Sequence, residues 1–207
     1  RAIFGFNNVA DKIILEPTAK GYKKLPTPVQ SGIGNFIKNL KLPLVAVNQL
    51  LQGQGQNAAE STGRFLVNST VGIFGLIDVA DDLGLEQKEE DFGQTLAKWG
   101  VGDGFYIVLP LFGPSNLRDT SGMLMTMMTD PVNAYAASQG EAWAIPLRTA
   151  VNAVDQRSKI IDEVNALRDN SIDYYAAVRS SYYQNRKAAI MNTDDDILTP
   201  LPLISID

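Results

Sequence analysis

The 207 residues carry 23 Asp and Glu against 18 Lys and Arg, a formal net charge of −5, and contain neither cysteine nor histidine. Those absences exclude disulfides, thiol nucleophiles, Ser-His-Asp triads and zinc or haem sites built on His or Cys. The acidic balance has the wrong sign for wrapping nucleic acid through its phosphates, and no apolar stretch reaches the roughly eighteen residues that a bilayer-spanning helix needs.

Charge is segregated along the chain. Residues 1–42 hold seven basic residues against Asp11 and Glu16, whereas residues 78–91 hold seven acidic residues against Lys88. The basic end suits an anionic surface, where each nearby Lys contributes about 1 kcal/mol, but charge alone favours a solvated helix face.

The punctuation marks helices. Thr27 and Pro28 read as an N-cap and a proline at the first helical position, opening a helix to about Asn39. Pro43 opens a second, Leu44 to Gln52, which Gly53 closes. Ala58, Ala59, Thr62, Phe65, Leu66 and Ser69 keep small or apolar groups on one face from Asn57 to about Val71. Asp91 caps a short helix from Phe92 to Trp99, ended by Gly100. Apolar residues at three- and four-residue steps predict a long helix over 141–166, with Pro146 as a kink or restart. Ser171 is positioned to cap a last helix with Tyr174, Tyr175, Val178, Tyr182 and Tyr183 on one side. Residues 1–191 therefore read as one all-α domain. Residues 192–207, with two prolines and no basic residue, read as a flexible acidic tail.

Three apolar stretches fall where connections should be polar. Phe105 to Phe112 form an apolar run broken by Pro110 and flanked by Gly100, Gly102, Gly104 and Gly113, which places large side chains on irregular backbone. Residues 121–129 hold Met123, Met125, Met127 and Met128, flexible side chains that adapt to a core or to acyl chains. Residues 71–80 add a third stretch with glycine breaks. Burial in a core accounts for each of them; so does a protein lying in one leaflet, with its apolar rim in lipid and its polar groups turned inward.

Reactive constellations are not found. The spacing Gly100-x-Gly102-x-Gly104 lacks the glycine three residues after the second and the following helix of a dinucleotide site, and no phosphate-binding GxxxxGK[ST] occurs. Asp81 with Asp82, and Glu89 through Asp91, lack the alternating ligand spacing of a calcium loop and read as solvated or capping residues. No metal, cofactor or catalytic residue is expected.

More specific than these signals are three strings. Residues 5–53 begin GFNNVADKIILEP and end LVAVNQLLQG; residues 64–80 read RFLVNSTVGIFGLIDVA; residues 90–122 read EDFGQTLAKWGVGDGFYIVLPLFGPSNLRDTSG. Together they resemble the MlaA (VacJ) family of outer-membrane lipoproteins over about residues 4–130, with a weaker match to about 190. The resemblance implies a ring- or disc-like assembly of amphipathic helices in the inner leaflet of the bacterial outer membrane, around a central polar channel. It implies an acylated cysteine upstream of Arg1 as the anchor, a neighbouring porin trimer, and transfer of misplaced glycerophospholipids to a periplasmic carrier without chemical conversion.

The resemblance also assigns candidate residues. Leu44, Val45, Val47, Leu50 and Leu51, with Met123 and Met127, are candidates for the membrane-facing rim. Arg64, Arg118 and Arg148 are candidates for head-group contacts, because a guanidinium holds phosphate oxygens with paired hydrogen bonds; structural ion pairs are the competing explanation. Gly100, Gly102, Asp103, Gly104, Phe105 and Tyr106 map onto a glycine-rich loop expected to control lipid entry. Phe105 stands where the family commonly has proline, which loosens the backbone there. Phe6 and Asn7 match a Phe-Asn signature expected to position the first helix. Two other functions are weighed: a porin adaptor that moves no lipid, and a phospholipase, for which no spacing supplies a nucleophile and base.

Overall fold

The chain enters on a continuous helical run. α1 (Ala2–Ala10), a π-helical segment (Asp11–Leu15) and α2 (Glu16–Tyr22) follow one another with right-handed helical backbone at each junction. The structure, a computed structural model, describes residues 1–192; apart from Asn192 the expected acidic tail lies outside the described residues.

α3 (Thr27–Leu51) is a single helix where two were expected, with Pro43 inside it. A proline at that position removes one helical hydrogen bond and costs about 3 kcal/mol in an isolated helix. Leu42, Leu44, Val45 and Ala46 around it are all buried, so tertiary packing holds the helix continuous. α4 (Gly55–Thr70) packs along α3. Between α4 and the short α5 (Val79–Asp82) the chain turns through Ile73, Phe74 and Gly75, all at positive φ. A Cβ on Gly75 would stand 2.6 Å from the Asn39 side chain, so glycine is required where this turn meets α3.

α6 (Phe92–Lys98) opens on Asp91 as predicted, with a full capping box closed by Gln94. It crosses α7 (Leu117–Thr129) at a paired glycine contact, where a Cβ on Gly122 would lie 2.4 Å from the Gly93 nitrogen. The methionine run, expected in a connection between helices, is thus part of a regular helix. α8 (Pro131–Ser138) is capped by Asp130. The helix predicted over 141–166 is divided at Ile160 into α9 (Ala144–Lys159) and α10 (Ile161–Asn170), while Pro146 sits harmlessly in the first turn of α9. α11 (Tyr174–Met191) takes its cap from Asp173, not Ser171.

The architecture is helical as expected, with one addition. Residues 106–116 fold as an antiparallel hairpin of β1 (Tyr106–Leu109) and β2 (Gly113–Asn116), in which Tyr106 faces Asn116 and Leu109 faces Gly113. Pro110 falls in the turn, where its missing N–H costs nothing, and Leu111 and Gly113 supply the positive φ angles that reverse the chain. Asn7 of α1 clamps this turn: its side chain donates to the Leu109 carbonyl and accepts from the Leu111 N–H, both at 2.8 Å.

Candidate functional site

Beside a small apolar core of residues such as Ile37, Leu42 and Ile161, the interior is strongly polar: among the described residues the eight largest fully buried side chains are all polar, led by Arg64, Arg157, Gln49 and Asn48. The exposed surface carries Ile13, Ile14, Leu50, Phe74, Met128 and Trp143, and Phe105 is 83% exposed. Soluble monomers rarely expose apolar surface on this scale, and it marks contact with lipid or protein.

Buried charges are matched by carboxylates from distant parts of the chain. Asp11 accepts from Arg157 at 2.8 Å and from Arg168 at 2.6 Å, which ties the π-helical segment to α9 and α10. Glu16 sits beside Arg168 at 3.3 Å and Lys20 at 2.7 Å. The Lys20 hydrogen bond, reinforced by Asn165 and Arg168 against the opposing effect of burial, lowers its carboxyl to about 2. A second cluster joins α6, α7 and α11: Arg186 reaches Asp91 at 2.6 Å and Asp119 at 3.1 Å, and the Tyr182 hydroxyl donates to Asp119. Burial pushes the Asp119 carboxyl up, but Arg186, Tyr182 and Arg118 outweigh it and hold the group below the usual carboxylate range.

A small pocket, with room for about one water, opens beside this framework. Lys41, Leu44, Val45 and Asn48 form its α3 wall, a stripe at steps of three, one and three residues that faces one side of the helix. Glu90, Asp91, Thr126 and Arg148 complete it. Arg148 is bound to Asp130 at 2.7 Å and Asp91 to Arg186. Glu90 accepts amide hydrogen bonds from Gln52 at 2.7 Å and Gln54 at 3.2 Å. Behind the wall, Thr95 donates to Asn48 at 2.8 Å.

The predicted residues are dispersed across the molecule. Of the three arginines only Arg148 lines the pocket. Arg64 is buried with Asp78 at 2.6 Å, and Arg118 is buried between Asp103 and Asp119. Val47, Leu50, Leu51 and Met127 are exposed, and Met123 is half-buried. Leu44 and Val45 correct the expectation: both are buried and face the pocket, because α3 turns that stripe inward.

In the glycine-rich loop, Gly100 and Gly104 adopt positive φ, and Gly102 lies in open space. The loop is held to the start of α7, since the Arg118 guanidinium pairs with the Asp103 carboxylate and the Arg118 N–H donates to the Asp103 carbonyl at 3.3 Å. Tyr106 does not belong to the loop's free part: its ring packs against Tyr175, Tyr182 and Tyr183 of α11, and burial raises its hydroxyl to about 12. Phe6 is exposed, and Asn7 positions α1 through the hairpin turn.

Sequence reasoning overlooked Lys41, Asn48, Glu90, Asp91 and Thr126 as pocket residues. Periodicity held the signal. Arg118, Gly122 and Thr126 recur every four residues and form the buried face of α7, while Leu124, Met125 and Met128 point outward.

A helical protein with large polar side chains enclosed and large apolar ones exposed fits the class that associates with one face of a bilayer, and no described helix is long and apolar enough to cross a membrane. Comparison with known proteins makes the class particular. The family model for MlaA lipoproteins matches residues 1–189, and the chain belongs to that family. It is 35% identical to the intermembrane phospholipid transport system lipoprotein MlaA of Haemophilus influenzae, over 89% of this chain and 74% of that protein. The protein of the same name from Escherichia coli is 34% identical, over 89% and 73%. An uncharacterized protein of Rickettsia bellii is 38% identical, over 92% and 74%. A solved structure reported as the structural basis for maintenance of bacterial outer membrane lipid asymmetry superposes with a TM-score of 0.81 at 34% identity, covering 92% of this chain and 95% of that one.

Proposed function

We propose that this chain is an outer-membrane lipoprotein that withdraws glycerophospholipids from the outer leaflet and so maintains lipid asymmetry. The relatives named for intermembrane phospholipid transport support this reading, as does the structure reported for lipid asymmetry. The observation that carries it is the inverted polarity: apolar side chains such as Phe74, Phe105 and Met128 are exposed while Arg64, Arg157 and Asn48 are enclosed. In a bilayer the exposed groups lose nothing to water, and a polar interior gives a phosphodiester a route that acyl chains deny it.

The lipid head group moves along the enclosed polar surface while its tails remain against apolar walls such as Leu44 and Val45. The Gly100–Tyr106 loop lies at the entry and is restrained by the Asp103–Arg118 pair. No bond is made or broken, so direction comes from partners: a periplasmic carrier that accepts the lipid and a porin trimer that seats part of the apolar rim. An acylated cysteine upstream of Arg1 anchors the disc to the inner leaflet.

Deleting the chain from its source bacterium tests this directly. Ethanolamine head groups accessible to a membrane-impermeant amine reagent should rise at the cell surface and return to the parental level on re-expression. Unchanged surface labelling would contradict the proposal.

A further inference from the structure

We infer that the helical run from Ala2 to Tyr22 is a docking surface for anionic phospholipid, lying along the bilayer with Lys12, Lys20 and, just past its end, Lys24 against the head-group phosphates. The inference rests on the outer-membrane lipoprotein reading and adds to it a class of lipid and the residues that select it.

The outer side of this run is apolar. Ile3, Phe6, Val9 and Ile13 follow at steps of three and four residues and are all exposed, Ile13 at 69% with Ile14 beside it at 66%. A row of exposed lysines borders that stripe, Lys12, Lys20 and Lys24, at steps of eight and four residues. An apolar stripe edged by lysine is the arrangement of a helix lying in the plane of an interface, its lysine stems over the acyl chains and its ammonium groups among the phosphates.

The positive charge of that edge is not cancelled from within. Both carboxylates of the run turn inward: Asp11 is held by Arg157 at 2.8 Å and Arg168 at 2.6 Å, and Glu16 by Arg168 at 3.3 Å. Lys20 also reaches Glu16 at 2.7 Å, and Lys23 stands 3.7 Å from the exposed Asp162 of α10. The ammonium groups of Lys12 and Lys24 have no ion pair or hydrogen bond among the described residues. Arginines behind the run thus take up its acidic charge and leave a cationic edge, whose complement is a surface of phosphodiester anions. A zwitterionic surface presents each phosphate with its own cation, so the net attraction is to lipids such as phosphatidylglycerol.

The chain, purified in detergent, is mixed with vesicles, and the bound fraction is read by flotation over a lipid titration. Vesicles of phosphatidylethanolamine and phosphatidylcholine are compared with vesicles in which phosphatidylglycerol replaces the phosphatidylcholine. Binding should be tighter to the anionic vesicles at low salt. Replacing Lys12→Gln and Lys24→Gln together should weaken that binding by roughly 25-fold, about fivefold for each lysine, and leave binding to the zwitterionic vesicles unchanged. High salt should erase the difference between parent and double variant. Lys88→Gln, in the acidic segment, should bind as the parent does, and unfolding curves confirm that the variants fold. Equal binding of the parent to both vesicles overturns the inference and leaves lipid transport standing. So does a preference for phosphatidylglycerol that the double variant keeps in full, the result expected if this face docks an acidic protein, or one that Lys88→Gln weakens equally. Failure to bind either vesicle overturns both readings.

Discussion

Glu16 shows how a single carboxylate is recruited into the framework of the entry helix. Lys20, Asn165 and Arg168 all favour its charged form, so its folded value of about 2 lies below the ordinary 4.5. A lowered folded value means that the stabilisation is complete above pH 4.5 and drains away as the pH falls toward 2. Unfolding midpoints of the parent chain should therefore decline toward those of Glu16→Gln across that interval, and parallel curves would show that the network contributes nothing. The sequence displayed Glu16, Arg157 and Arg168 but not their association. More than 140 residues separate Asp11 from its partners Arg157 and Arg168, as the hydrogen bonds show, and no local spacing encodes a contact that the tertiary fold alone creates.

At the scale of elements, the glycine-rich loop separates two kinds of glycine. Gly104 adopts φ of +68°, and a Cβ there would stand 2.9 Å from the Leu117 Cβ, whereas Gly102 has nothing within 4 Å and no positive φ. Gly104→Ala should cost about 1–3 kcal/mol, lowering the unfolding midpoint by about 2–4 °C for each kcal/mol, while Gly102→Ala should leave it unchanged. Equal effects of the two substitutions would refute this distinction. Helix boundaries were legible where the signal is local, as at Asp91, whose capping box is written in the residues themselves. They were illegible at Pro43, where burial on both sides overrides a strong breaker, and at Ile160, which divides α9 from α10 without glycine or proline. The hairpin escaped detection because its second strand, Gly113 to Asn116, includes glycine and proline, residues that weaken any strand pattern.

For the molecule as a whole, burial departs from that of a water-soluble domain in its largest side chains. Arg64, Arg157, Asp155 and Asn48 are enclosed, while Phe74, Phe105 and Met128 face outward. The apolar stretches and their glycine breaks could be read from the sequence, and so could the family that fits them. Which way each face points could not, since hydrophobic periodicity gives the same stripe whether it meets a core or a lipid. Leu44 and Val45 are the instructive pair: their composition suits an acyl environment, and the rotation of α3 places them on a pocket wall instead.

The absence of cysteine from these 207 residues makes the central claim directly measurable, because one introduced cysteine carries a unique spin label. Labels at Phe74→Cys, Phe105→Cys and Met128→Cys, in the chain bound to phospholipid bilayers, are compared for collision with oxygen, which concentrates among acyl chains, and with a water-soluble nickel chelate. Asp162→Cys, at an exposed polar position, serves as the aqueous reference. The account predicts that the three apolar sites favour oxygen and are shielded from nickel, opposite to Asp162→Cys. Nickel accessibility at all three sites equal to that at Asp162→Cys would place the apolar periphery in water and contradict it.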